Sequence, residues 1–393
     1  MTFENFHCLG DISVEDFLTQ YWQKKPLLIR NAFPGIQSPI TAEELAGLAC
    51  EDNINARLVL EKDGDYPWQA EHGPFDESRF AKLPETHWSL LISDMEKCLP
   101  GTASLVKPFR FLPDWRLDDL MISYAPTGGS VGAHVDDYDV FLIQLNGQRL
   151  WQISEHYSDE TLTDVDLRIL KNFSAEREWL CNPGDLLYLP PGVAHHGVAQ
   201  TCKNEQGDNE HCMTASVGFR APSLKTITSD YVFYLNENSH GVERFTDKSP
   251  VKPVHHAEIT DDTISQFIEY LKQGITLEHE QVKRWLGEYS SDNKAFEDIE
   301  QTHNQKKVNF EQLCAIAAQS NLMRSPYSHF LFSYTDKTAL LFVNGESFKV
   351  SKQFAETLCE DEHLDFQQLV SFITSDDKIV LLQLYNDGSI FCD

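Results

Sequence analysis

Residues 128–153 read GGSVGAHVDDYDVFLIQLNGQRLWQI, two apolar runs split by Asn146-Gly147 and preceded by a histidine and an aspartate two positions apart. On a strand, alternate side chains share a face, so His134 and Asp136 project the same way. An imidazole beside a carboxylate is two-thirds of a facial metal triad. Two histidines and one carboxylate with open positions suit non-haem iron(II), which must still accept a cosubstrate and oxygen.

A third ligand should come from far along the chain. CNPGDLLYLPPGVAHHGVA (181–199) supplies two candidates, His195 and His196. Neighbours in extended chain point to opposite faces, so only one of them can join. Arg149 follows the Asn146-Gly147 turn. That turn reads as a hairpin, which would return Arg149 beside the strand of His134 and Asp136. A guanidinium there offers a bidentate fork for the far carboxylate of 2-oxoglutarate. Ser123, on the preceding strand, could add a hydroxyl. Asp137, Tyr138 and Asp139 flank the metal strand, and one of them could meet a basic side chain. His211, His255 and His256 lie in polar stretches without a partner at metal spacing. No P-loop, Rossmann fingerprint, nucleophile elbow or HExxH motif occurs.

Around this centre the pattern is all-β from about 119 to 220. LMISYAP, YDVFLIQL, QRLWQI, DLLYLP and TASVGFRAP are short apolar runs punctuated by Gly, Pro and Asn. Such strands at this spacing argue for a barrel. Upstream, SVEDFLTQYW (13–22) reads as a helix capped by Ser13, and KKPLLIRNAF (24–33) as a strand. Between 41 and 130 helical and strand patterns mix without clear boundaries.

Downstream of Pro222, Leu224, Ile227, Tyr231 and Leu235 keep helical spacing. A polar, proline-containing stretch (246–256) follows. Ile264, Phe267, Ile268 and Leu271 then form an apolar stripe that suits a dimer contact or packing within the chain. The last part reads as α+β. FLFSYTDKTALLFVNGESFKV (330–350) gives strands around Asn344-Gly345, and SKQFAETL and FQQLVSFI give helices. KIVLLQLYNDGSIF (378–391) reads as a terminal hairpin turning at Asn386-Asp387-Gly388. Helices before a terminal hairpin suggest a winged-helix-like domain, and the acidic run Glu360-Asp361-Glu362 favours a protein contact over DNA.

The chain has 393 residues, enough for two or three domains. It carries 61 acidic and 32 basic residues, a formal charge of −29, which disfavours nucleic acid and anionic membranes and favours basic partners. Nine scattered cysteines contain no CxxC pair, which points to reduced thiols. No leader pattern and no apolar run of about 18 residues is present, so the expected location is the cytoplasm.

HVDDYDVFLIQ, GQRLW, PGDLLYLPPGVAH, SVGFRAP and the opening FLTQYWQKKPLLIRNAF resemble the bacterial branch of the JmjC ribosomal oxygenases, the cupin-4 proteins. The resemblance runs along nearly the whole chain and is weak beyond about 275. It implies an α+β architecture: a double-stranded β-helix (cupin/JmjC barrel) over 1–222, a helical dimerisation module over 223–275 and a winged-helix-like domain over 276–393. It implies iron(II) held by His134, Asp136 and His195, with 2-oxoglutarate anchored by Arg149, aided by Ser123, and O2 as the other cosubstrate. Bacterial members hydroxylate an arginine β-carbon in large-subunit ribosomal protein sixteen. Animal relatives act on histidine and typically have lysine where Arg149 stands. The expected function is therefore ribosomal-protein arginine hydroxylation by a homodimer that does not bind nucleic acid. Competing readings are a histidyl hydroxylase, a lysine demethylase, another metal-dependent barrel enzyme and a non-catalytic acidic binder of basic ribosomal proteins.

Overall fold

The computed structural model describes residues 8–61, 68–99, 101–163, 165, 167–203, 209–238, 244–246, 254–292 and 307–392. Two compact units divide the chain, Met1–Ala221 and Pro222–Asp393. Much of the proline-containing stretch over 246–256 lies outside the described residues.

In the first unit, helix α1 (Val14–Gln20) opens on Ser13, whose hydroxyl accepts from the Asp16 amide at 3.0 Å. Strand β1 is only Leu27–Ile29, shorter than its apolar run. The Asp185 carboxylate ends it by taking the Asn31 amide at 2.9 Å and the Arg30 guanidinium at 2.6 Å. The 41–130 stretch resolves into α2 (Ala42–Leu48), β2 (Ala56–Glu61), β3 (Trp68–His72), α3 (Glu77–Phe80), β4 (Trp88–Ile92), α4 (Met95–Cys98) and β5 (Leu117–Ala125). Then come β6 (His134–Val135), β7 (Asp139–Asn146), β8 (Arg149–Ser154), β9 (Arg177–Cys181), β10 (Leu186–Leu189), β11 (Ala194–Ala199), β12 (Cys202–Lys203), β13 (Asn209–Glu210) and β14 (Cys212–Phe219).

The larger sheet runs β1-β10-β7-β14-β5-β4-β2-β3, and the smaller β6-β11-β8-β9. Strand β7 explains why one long apolar run was needed. Phe141, Ile143 and Leu145 pack into the N-terminal core with Phe17, Phe109 and Tyr188. Val140 and Leu142 point the other way, against Trp151 and Ile153 of the smaller sheet. A strand buried on both faces loses the polar alternation of a surface strand.

The expected hairpin at Asn146-Gly147 is instead a corner between the sheets. Both edges of β7 are already taken, by β10 and β14. Strand β8 therefore pairs with β11 and β9, and β11 stands between Arg149's strand and β6. Gly147 is required here: its φ is +61°, and a Cβ would lie 2.6 Å from the His211 carbonyl.

The second unit begins with α5 (Leu224–Asn238), α6 (Asp261–Gly274) and α7 (His279–Ser291). Tyr231 and Leu235 pack on Trp285. The α6 stripe is exposed, with Ile264 at 46% and Leu271 at 61%. Strands β16 (Phe330–Tyr334), β17 (Ala339–Val343) and β18 (Glu346–Val350) form a meander, with β15 at Leu322–Arg324, β19 at His363–Leu364 and β20 at Ile390–Cys392 in a second small sheet. Asn344 and Gly345, at φ +49° and +82°, make the tight turn expected of Asn-Gly. No helix among the described residues is long and apolar enough to cross a membrane.

The expected terminal hairpin is corrected. Ser375–Asn386 is a helix, and only Ile390–Cys392 is strand. Val380, Leu381, Leu384 and Tyr385 are its buried face, a helical spacing hidden inside a β-like composition. Thr374 and Asp377 form a reciprocal cap, and Gly388, at φ +79°, follows the helix end. Asp377 is fully buried and also accepts from the Ser351 amide at 2.8 Å and its hydroxyl at 2.7 Å. Burial opposes its charge, but these hydrogen bonds outweigh it and lower its pKa. Its stabilising contribution is thus present above the ordinary aspartate range and lost as pH falls through the lowered value. Asp377→Ala should destabilise this unit by about 3 kcal/mol, measured by denaturant titration at pH 7, and the deficit should shrink toward pH 3.

Candidate metal centre and carboxylate pocket

Strands β6 and β11 pair antiparallel with His134 directly opposite His195. Directly opposed residues present their side chains side by side on one face. The two rings sit 4.2 Å apart, centroid to centroid. Asp136, just past β6, brings one carboxylate oxygen to 3.8 Å from His134 Nε2 and the other to 3.5 Å from His195 Nε2. All three ligand atoms fall within 4.8 Å of one another.

Each ring is oriented from behind. His134 Nδ1 lies 2.9 Å from the Gly132 carbonyl, and His195 Nδ1 lies 3.0 Å from the Val193 carbonyl. A carbonyl only accepts, so Nδ1 carries the proton and Nε2 turns its lone pair to the common centre. Burial first, and then the neighbouring His134, push His195 down to about 4, which keeps its imidazole neutral and able to ligate. Two lone pairs and a carboxylate on one face fit a divalent cation of the iron type.

His196 faces away. It stands opposite Gln152 and edge-on to Phe173, at the wall of a cavity of about 390 Å³. His211, His255 and His256 are exposed.

Arg149 is 3% exposed. Its Nε donates to the Thr214 hydroxyl at 3.0 Å and Nη1 to the Gly197 carbonyl at 3.4 Å, while Nη2 is buried with no partner among the described residues. Among the described residues no carboxylate forms an ion pair with it. A buried, half-satisfied cation is costly unless an anion joins it, so the site fits a bound carboxylate. Gly197 makes room: a Cβ there would lie 2.5 Å from the Trp151 ring.

Ser123 sits opposite Thr214, and its hydroxyl donates to the Thr214 carbonyl at 3.3 Å. Thr214, which sequence reasoning missed, holds the guanidinium, and its own hydroxyl donates to Gln144 at 3.2 Å. Strand alternation could have found it, since Thr214 and Ser216 face inward on β14.

Of the three flanking residues, Asp139 is not available to a substrate. It is fully buried behind the larger sheet, accepting from Tyr188 at 2.6 Å and Gln23 at 2.9 Å and pairing with Arg116 at 3.2 Å. Asp137 is exposed and Tyr138 half-buried. Burial first, then the Asp136 carboxylate, raise the Tyr138 hydroxyl well above the usual range, with Asp119 and Asp118 adding to it. Asp119 was also missed. It shares the inward face of β5 with Met121 and Ser123, and burial, then Asp118 and Asp94, push it up to about 6.

Comparison with known proteins agrees with this arrangement. Residues 104–227 match the JmjC domain family, and residues 269–391 match the ROXA-like winged helix. The Escherichia coli ribosomal protein uL16 3-hydroxylase is 38% identical over 285 residues, 72% of this chain and 73% of that protein. The X-ray structure of E. coli ycfD superposes with a TM-score of 0.81 at 31% identity, covering 98% of this chain and 99% of that one. A structure of the E. coli ribosomal oxygenase YcfD in complex with cobalt and 2-oxoglutarate gives a TM-score of 0.78 at 31% identity, covering 98% and 99%. Barrel, triad geometry and winged helix together define an oxygenase of the JmjC class. Within that class, the chain belongs to the ribosomal oxygenases.

Cobalt(II) titration followed by visible absorption checks the centre. Asp136→Ala should weaken binding by roughly 100-fold or more, taking the loss of a ligand to exceed the loss of an outer partner. His196→Ala should leave it unchanged.

Proposed function

We propose that this chain is the iron(II)- and 2-oxoglutarate-dependent hydroxylase of an arginine β-carbon in ribosomal protein uL16, with His134, Asp136 and His195 as the metal ligands. The observation that carries it is the pairing of that triad with Arg149, a buried guanidinium with no anionic partner among the described residues. The identity to a uL16 3-hydroxylase supports the substrate. Bound iron(II) with 2-oxoglutarate supplies the oxidising power that places one atom of O2 on an unactivated C–H bond.

The chain's own residues hold and orient. Gly132 and Val193 fix the two imidazoles through their Nδ1 protons. Arg149 takes the far carboxylate of 2-oxoglutarate through its free Nη2, with Thr214 steering the fork and Ser123 giving up its long bond to reach the same oxygen. Val140, Leu142, Trp151 and Ile153 keep this end of the barrel dry, which strengthens the ionic anchor. At the other end, Asp119 offers a carboxylate about 13 Å along β5 from Ser123, four residues at strand rise. A cationic side chain reaching past the metal meets it there. Such a carboxylate, in a chain of charge −29, suits a strongly basic ribosomal protein.

The exposed stripe on α6 supports a homodimer formed by the helical stretch 223–275, with the winged-helix-like part, 276–393, serving protein contact without binding nucleic acid. The substrate places the enzyme in the cytoplasm.

Incubation of ribosomal proteins with the chain, iron(II) and 2-oxoglutarate should add one oxygen to an arginine of uL16, located by fragmentation mass spectrometry. Oxygen on a histidine, or loss of methyl from lysine, would replace the arginine reading. Arg149→Gln should raise the KM for 2-oxoglutarate by roughly 100-fold, the cost of about 3 kcal/mol for a buried charge-assisted pair.

A further inference from the structure

We propose that Ser130 is a positioning residue for the metal centre: its hydroxyl holds the Gly132 amide, and so aims the Gly132 carbonyl that fixes the ring of His134, a role that rests on the reading of His134 as a metal ligand.

Both ligand rings are held by a carbonyl two residues upstream, Gly132 for His134 at 2.9 Å and Val193 for His195 at 3.0 Å. The two carbonyls are themselves held by different means. Val193 follows Pro191 and Gly192. The proline ring stiffens that turn, and the Gly192 amide ties it to the backbone carbonyl of Asp136 at 2.9 Å. Gly132 stands instead in the stretch 128–133, GGSVGA, where half the residues are glycine and no proline stiffens the chain.

Such a stretch keeps one shape only if it is pinned. Its ends are tied by the backbone. Gly128 donates to the Ala199 carbonyl at 2.9 Å, the Ala199 amide donates to the Gly129 carbonyl at 3.0 Å, and the Leu170 amide donates to the Ala133 carbonyl at 2.7 Å. Between those ends the ties are two serine hydroxyls. Ser89, on β4, donates to the Ser130 carbonyl at 3.2 Å, and the Ser130 hydroxyl accepts from the Gly132 amide at 3.1 Å. Both serines are only 1% exposed, so bulk water does not compete for these bonds.

A serine oxygen that takes the amide two residues on closes a local turn. Gly132 has φ +83°, a conformation that glycine permits but does not enforce. With its amide held, Gly132 resists rotation, and its carbonyl stays on His134 Nδ1. Ile169 closes the other side, since a Cβ on Gly132 would lie 2.8 Å from it. Ser130, Gly132 and His134 thus form a relay with a step of two residues. Without the hydroxyl the carbonyl is free to swing, and the imidazole no longer has one preferred tautomer. Only the form with its proton on Nδ1 turns the Nε2 lone pair to the metal.

Two measurements test the relay: cobalt(II) affinity by visible absorption, and the histidine tautomers of the metal-free protein by nitrogen NMR on isotope-labelled histidine, with the His134 signals assigned from their loss in His134→Ala. Ser130→Ala should weaken cobalt(II) binding by about tenfold, the lower end of the loss for an outer partner. In the same variant His134 should pass from the Nδ1–H form to a mixture of both tautomers, while His195, held by its own turn, keeps its form. Unchanged cobalt affinity overturns the proposal. So does a weaker affinity with His134 still wholly in the Nδ1–H form, or with both histidines mixed alike, since either makes Ser130 a packing residue. Should Ser130→Ala fail to fold, Ser130→Cys, which nearly keeps the volume but accepts a hydrogen bond weakly, carries the same readouts. His134→Ala separates the two levels. Unchanged cobalt affinity in that variant removes His134 from the ligand set and with it the underlying reading, whatever Ser130 does.

Discussion

The pairing of two short strands, β6 with β11, governs everything that this molecule can do. Placing His134 opposite His195 sets two rings 4.2 Å apart, and a one-residue slip would send one of them to the far face. Register there is held from several sides. The larger sheet and the N-terminal aromatic core fix where β7 and β10 lie, and the corner at Gly147 hands the chain to the smaller sheet in one allowed conformation. The adjacency of His195 and His196 shows the cost of error, because the wrong neighbour faces a different cavity.

The site also keeps unlike groups in opposite charge states within a few strands. His195 is driven neutral by burial, the state in which an imidazole can ligate. Arg149, equally buried, cannot lose its proton and is left wanting an anion. Carboxylates at the other end of β5 are pulled upward by burial and mutual repulsion. Desolvation acts on all of them, and the differences come from which partner the strand geometry supplies.

Much of this was legible in the sequence because it rested on period-two alternation and on turn residues. His134 and Asp136 two apart, Ser13 before an apolar helix, and Asn344-Gly345 between strands each encode local geometry. What stayed hidden depended on which strand pairs with which. Asn146-Gly147 carries the same dipeptide as Asn344-Gly345 but becomes a corner, since β7 has no free edge. Asp139 reads like a site residue by position, yet its side chain points to the back of the sheet. Residues 378–391 are rich in apolar residues that suit a strand, while the buried face and the Thr374 cap set a helix. Asp119 and Thr214 carried no motif, and their roles arise from inward-facing positions that only the assembled sheets define.

The buried guanidinium of Arg149, without an ion-pair partner among the described residues, ties the stability of the fold to any anion that it takes up. An anion that binds only the native state adds stability in proportion to the logarithm of its concentration, about 2.7 kcal/mol at a hundredfold excess over Kd. Deprived of such an anion, the fold loses that increment.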